Sequence, residues 1–371
     1  MRALLIALVF VGCERSNTQT TRTVFFRGEP VATVVETTAS AREIKRVTRL
    51  NDETITLTAS LDVDGFAIAA TSDRPGVRHM ELKDGAVVDA FGHRIPVAGR
   101  VLLVELVHRV RATGKNAATL VDLSSAEILA VTVERRGPEV VVTDAAGRVV
   151  VRALPEGSRV GPGVFAEGDT APLLPAAPVE IELPGRRSVK GAVLAGAADH
   201  VKKPTTTTTA ADLAAAIFLE SDDPRVKSFA ACLGSPLPDA LAIAERVRPL
   251  VDAKKRDQPP SALGMLAAGG DCDGAAALVV AALRSCGHPA RALVGYKLTA
   301  VGSADARLVP HAVAEVYSDG LWTKVDATVP AIGSLDDVFL PVAEGLGGSL
   351  TMGRVLGVIG ASDVLTAPGP R

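Results

Sequence analysis

Gly270-Asp271-Cys272 opens the stretch that decides the fold, and Asp273-Gly274-Ala275-Ala276-Ala277-Leu278-Val279-Val280-Ala281-Ala282-Leu283-Arg284 follows it. Apolar residues fall almost all round a 3.6-residue period, so Cys272 to Cys286 reads as a central buried helix with a cysteine at its N-terminus. Gly287 ends that helix and Pro289 blocks its restart. Beyond it the period switches to two. Ala290 to Leu298, Ala312 to Tyr317 and Leu321 to Val325 read as strands, and Asp319-Gly320 suits a hairpin turn between the last two. A buried helix carrying a cysteine and packed on an antiparallel sheet is an α+β layout. His311 precedes the second strand and Asp326 closes the third. Cysteine, histidine and carboxylate in that setting are the parts of a nucleophile, a base and a group that orients the base.

Working back from Gly270, the text is helical. Ser261 suits the cap of a short helix over Ala262 to Ala267, stopped by Gly269-Gly270. Pro238-Asp239 opens a longer helix through Arg248, and Asp222 or Asp223 with Pro224 starts one that runs to about Cys232. Asp212 is placed to start a helix over Leu213 to Leu219. Before that, residues 184–210 hold Pro184-Gly185, Arg186-Arg187, many small residues and the run Thr205 to Thr209, and read as a linker.

Residues 23–183 read as a β-rich first domain. Runs such as Val31-Ala32-Thr33-Val34-Val35 and Thr54-Ile55-Thr56-Leu57-Thr58 are β-branched with period two, and Asp84-Gly85 suits a hairpin. Leu103 to Arg111 fits a buried strand or a short helix equally well. His79, His93 and His108 are isolated and form no constellation.

Composition bounds the partners. The chain has 371 residues, 47% apolar and 22% charged, and its 40 basic and 42 acidic residues leave a formal charge of -2. Such a chain builds cores and lacks the basic stripe that a nucleic-acid partner requires. Met1-Arg2 followed by the apolar run Ala3 to Val11 reads as a signal peptide, too short to span a bilayer. Phe10-Val11-Gly12-Cys13 resembles a lipobox, which makes residues 1–13 a leader and Cys13 the candidate lipidation site. The expected location is the bacterial cell envelope, lipid-anchored through Cys13 or periplasmic. Cys232, Cys272 and Cys286 remain, an odd number. With Cys272 as nucleophile, Cys232 and Cys286 stand either as a disulfide or as two buried thiols. No metal-ligand spacing and no cofactor motif is present, so neither metal nor cofactor is expected.

The residues then carry a resemblance. Ser261-Ala262, Gly270-Asp271-Cys272, Leu283-Arg284, Gly287, Pro289-Ala290-Arg291, Val294-Gly295-Tyr296, His311, Glu315-Val316-Tyr317, Trp322 and Val325-Asp326-Ala327-Thr328 together resemble the transglutaminase-like superfamily core of bacterial proteins, over roughly residues 211 to 335. The chain departs from the family where Ala312-Val313 follows His311 in place of a usual tryptophan, and at His288. The resemblance implies a papain-like core within a domain spanning 211–360. It implies Cys272 as nucleophile, His311 as general base and acid, and Asp326 as the residue orienting His311. The helix dipole and a neighbouring imidazolium would favour the Cys272 thiolate at neutral pH. Asp271 is expected to cap the helix, and Trp322 to pack. The implied function is a cysteine peptidase, amidase or protein-glutamine acyltransferase that acts through a thioester on a peptide or protein substrate. Hydrolysis is favoured because water resolves a thioester without a second substrate. The alternative is a catalytically silent envelope scaffold or binding protein built on the same core.

Overall fold

A computed structural model describes residues 18–346 apart from 27–28, 41, 51–52, 75–77, 155–156, 161–164, 170–175, 183–187, 195–204, 253–260, 300–306, 330 and 333–338. The leader, Cys13 and the closing strand expected over Leu350 to Ile359 lie outside the described residues. Period-two sequence builds the first half. Fifteen strands, β1 (Thr18–Phe26) through β15 (Phe165–Gly168), form one hydrogen-bonded sheet. In β4 (Glu53–Leu61) Leu57, Ala59 and Leu61 are buried while Thr58 and Ser60 are exposed, the alternation of a half-buried strand. The strand order returns on itself because β4 also pairs with β5 (Ala67–Arg74). The ambiguous stretch divides: Val101–Leu103 is strand β9 and Val104–Arg109 a 3-10 turn.

The stretch 184–210 contains a strand. β16 (Ala176–Glu182) and β17 (Ser188–Leu194) pair antiparallel as a separate two-stranded sheet. Thr205, which starts the threonine run, is held against the second half. It donates to Glu344 and accepts from Arg291.

Four α-helices follow among the described residues. Asp223 caps α1 (Pro224–Ala230) by accepting from the Arg225 amide, and α2 spans Pro236–Val247. The Ser261 hydroxyl accepts from the Gly264 amide at the start of α3 (Ala262–Ala268), and α4 spans Cys272–Ser285. No helix forms over Leu213 to Leu219. A 3-10 turn covers Ala210–Asp212, Ala216 bridges to Leu219, and Phe218 takes a left-handed φ of 70°. The reason is tertiary: Ile217 and Phe218 are buried in the core of the first sheet with Leu57, Met80 and Leu82, a contact no local periodicity encodes.

The second sheet runs β21-β20-β19-β18-β22. Its strands are β18 (Ala290–Thr299), β19 (Arg307–Ser318), β20 (Leu321–Asp326), β21 (Ala331–Ile332) and β22 (Phe339–Glu344). Asp319 and Gly320, with φ of 53° and 82°, make the hairpin between β19 and β20. Phe339 and Leu340 are strand, where the sequence suggests the end of a short helix from Ser334. Phe339 is drawn into the sheet by packing on Leu293 and Val313. One glycine is indispensable here: a Cβ at Gly295 would lie 2.0 Å from the Leu340 carbonyl oxygen, so only glycine lets β22 pair with β18 at this point.

Helix α4 packs its Leu278, Val279 and Leu283 against Ala292, Ala314 and Val316 of the sheet, with Gly274 to Arg284 buried throughout. The cysteine alternatives also resolve. Cys232 and Cys286 are a disulfide with a Cα–Cα distance of 5.6 Å, which ties the chain after α1 to the end of α4. Cys272 is free. Among the described residues no helix is long and apolar enough to cross a membrane.

Candidate active site

Cys272 is the first residue of α4, where backbone amides have no intrahelical acceptor. Its side chain packs against Ala276, Val294 and Ala312, and the Ala312 amide donates to its sulfur. His311 is the neighbour of Ala312 in β19 and pairs across to Gly295 of β18. Alternation sends the His311 and Ala312 side chains to opposite faces, so Cys272 meets β19 at the backbone beside His311.

His311 and Asp326 are joined directly. His311 Nε2 lies 2.8 Å from Asp326 Oδ2. Lys297 Nζ donates to the same oxygen, also at 2.8 Å. The Thr328 amide and hydroxyl donate to Oδ1 at 2.9 and 2.6 Å. Asp326 is only 2% exposed and its carboxylate accepts four hydrogen bonds. Burial alone would raise its pKa, but His311, Lys297 and Thr328 outweigh burial and hold the carboxyl well below the usual carboxylate range. With Nε2 of a neutral imidazole donating to Asp326, Nδ1 is left as the acceptor.

The thiol departs from expectation. Burial and the carboxylates of Asp271, Asp273 and Asp326 push the Cys272 thiol up to about 12, against the opposing pull of the Ala312 amide. A thiolate standing at neutral pH is therefore corrected to a protonated thiol. The helix end favours an anion, but three carboxylates around a desolvated sulfur win. No hydrogen bond joins Cys272 to His311 among the described residues. Asp271 occupies the cap position without a capping bond, because the Asp273 carboxylate takes the Gly274 amide at 2.7 Å, the donor a capping Asp271 would use.

The family model that matches this sequence describes the transglutaminase-like superfamily and covers residues 227–327, from within α1 to just past Asp326. Residues 227–327 are a transglutaminase-like domain. No curated protein matches the chain. A solved structure of a "putative cysteine protease" from Cytophaga hutchinsonii is 18% identical with a TM-score of 0.32, over 53% of this chain and 72% of its own.

Around the transglutaminase-like centre the other singled-out residues have structural partners. His288 bonds Asp239 at 2.7 Å. Arg291 pairs with the buried Glu315 and lies over the Trp322 ring at 4.0 Å, and Trp322 meets Tyr317 edge to face. His93 bridges Asp89 of the first half and Asp222 of the second. Sequence reading missed Lys297 and gave Thr328, quoted in the motif with Asp326, no role of its own. Thr328 was legible as Asp-x-Thr, a local turn in which a carboxylate accepts from the backbone two residues on. Lys297 was legible only from register: it stands two residues from Gly295, on the sheet face that Gly295 shares with His311. Among the described residues no three metal-ligating side chains converge.

Proposed function

We propose that this chain is a cysteine enzyme that cleaves or transfers an amide or peptide acyl group through a thioester on Cys272, with hydrolysis the favoured outcome. The observation that carries the proposal is the His311–Asp326 pair set beside the Ala312 amide that contacts the Cys272 sulfur, within a transglutaminase-like domain. As the sulfur attacks the amide carbon, its proton passes by way of a water to Nδ1 of His311, whose ring stands on the other sheet face from Ala312, and Asp326 stabilises the imidazolium. The C–N bond then breaks, His311 returns the proton to the departing amine, and the acyl group stays on sulfur. Water, deprotonated by His311, hydrolyses the thioester to a carboxylic acid and restores the thiol. The Cys272 amide, free at the helix start, supplies one donor to the oxyanion. Hydrogen bonds of this kind commonly tighten only when substrate is bound. The proposal extends to location: export through the leader to the cell envelope, either anchored by lipid on Cys13 or periplasmic.

The protonated, carboxylate-ringed thiol favours a second reading, a silent core serving as an envelope scaffold. Acid quenching of the full chain mixed with a peptide library, followed by digestion and mass mapping, separates the two. The enzyme reading expects an acyl mass on the Cys272 peptide that hydroxylamine removes and that Cys272→Ser lacks. No adduct and no released amine from any library member would leave the scaffold. An added primary amine that appears in the product would shift the balance from hydrolysis to transfer.

A further inference from the structure

Lys297 has no part in the nucleophile, base and orienter scheme, yet its ammonium is the second donor to the oxygen that His311 uses. Its side chain is 17% exposed, and that of Asp326 is 1% exposed. A buried carboxylate needs a countercharge, and removing a lone partner leaves it strongly unfavourable. His311 cannot fill that role throughout a reaction in which it alternates between neutral and cationic forms. A lysine can, because in that scheme it neither gives nor takes the proton that moves between sulfur and amine. The groups that meet here are few. α4 contributes Asp271, Asp273 and the thiol, β19 His311, β20 Asp326, and β22 the uncharged Phe339 opposite Lys297. Lys297 is the cation that β18 brings to this group.

We infer that Lys297 is a positioning residue of this site: paired with Asp326 Oδ2 it holds the carboxylate in place for His311 and offsets its negative charge at the Cys272 thiol. The inference rests on the cysteine-enzyme reading for its purpose, but its electrostatic content is measured without turnover. The carboxylate of Asp326 is among the groups that disfavour the thiolate, so an Asp326 stripped of Lys297 disfavours it more. Structural damage acts in the opposite direction, because loosening the sheet exposes the sulfur and speeds its modification.

The test is the rate at which iodoacetamide alkylates Cys272 in the full chain at pH 8, followed on the Cys272 peptide so that other thiols do not count. Lys297→Met is expected to slow the reaction about threefold, the fall in thiolate fraction for half a pKa unit. Lys297→Gln, which keeps a donor without the charge, should behave like the Met variant, and Lys297→Arg should restore the original rate. Circular dichroism melts establish that each variant is folded. Met and Gln variants that react as fast as the parent, or faster, would overturn the inference. An acyl adduct on Cys272 combined with that result would leave the enzyme reading standing, whereas slowed alkylation without any adduct would leave the charge role standing on a silent core.

Discussion

At Cys272 two influences of opposite sign meet. The positive end of the α4 dipole favours an anion, while burial and the carboxylates of Asp271, Asp273 and Asp326 oppose one, and the thiol is pushed up to about 12. At any pH below that value less thiolate is present than an exposed cysteine would offer. Alkylation of Cys272 in the resting protein should therefore be slow at neutral pH and rise about tenfold per pH unit from 7 to 10, without the plateau near 8.5 of a free thiol. A plateau at or below 8.5 would show that the imidazolium of His311 dominates the carboxylates instead. The same shift is linked to stability. The folded thiol binds its proton more tightly than the unfolded one, so this contribution is intact below about pH 9 and is lost as the pH rises toward about 12. Sequence identified Cys272, His311 and Asp326 as chemically suited residues, because their types and their places on helix and strands are written locally. It could not give the sign of the thiol shift, which depends on depth of burial and on how close Asp273 and Asp326 come to one sulfur.

Helix α4 and its sheet were the most legible elements, since an unbroken apolar run ended by Gly287 and two strand runs around Asp319-Gly320 admit few alternatives. The disulfide was not legible, because Cys232 and Cys286 are 54 residues apart and only the packing of α1 on α4 brings them within reach. Closing a loop of that length restricts the unfolded chain by about 4 kcal/mol in the loop-entropy description. Replacing both cysteines by alanine should lower the thermal midpoint of unfolding by several degrees. The parent in excess reductant should approach the same midpoint. A midpoint unmoved in both would mean that the helices hold α4 without the cross-link. Leu213 to Leu219 is the converse case, a helical pattern whose apolar residues serve a distant core.

Across the whole molecule, Ile217 and Phe218 join the second half to the first by lying in the core of the fifteen-stranded sheet. The link leads onward. Glu220, two residues beyond Phe218, accepts from Ser261 and the Leu263 amide at the start of α3, and α3 places the Met265 sulfur 3.1 Å from where a Cβ on Gly270 would stand, next to the Cys272 helix. Phe218→Ala should cost about 3 kcal/mol by loss of a buried aromatic ring. Calorimetry should then resolve two transitions where the parent unfolds in one; a single transition at an unchanged midpoint would mean that the two halves are coupled elsewhere. The pairing of β22 with β18 has its own bearing on how the molecule is handled. The family match ends at residue 327, and β22 lies beyond it at Phe339–Glu344. A fragment trimmed to that match would bare a row of unpaired peptide groups along β18, the strand that carries Gly295 and Lys297, and such a row recruits other chains. The boundary of likeness to a family is thus not a boundary of solubility, and a fragment cut there should form intermolecular sheet before its chemistry is ever measured.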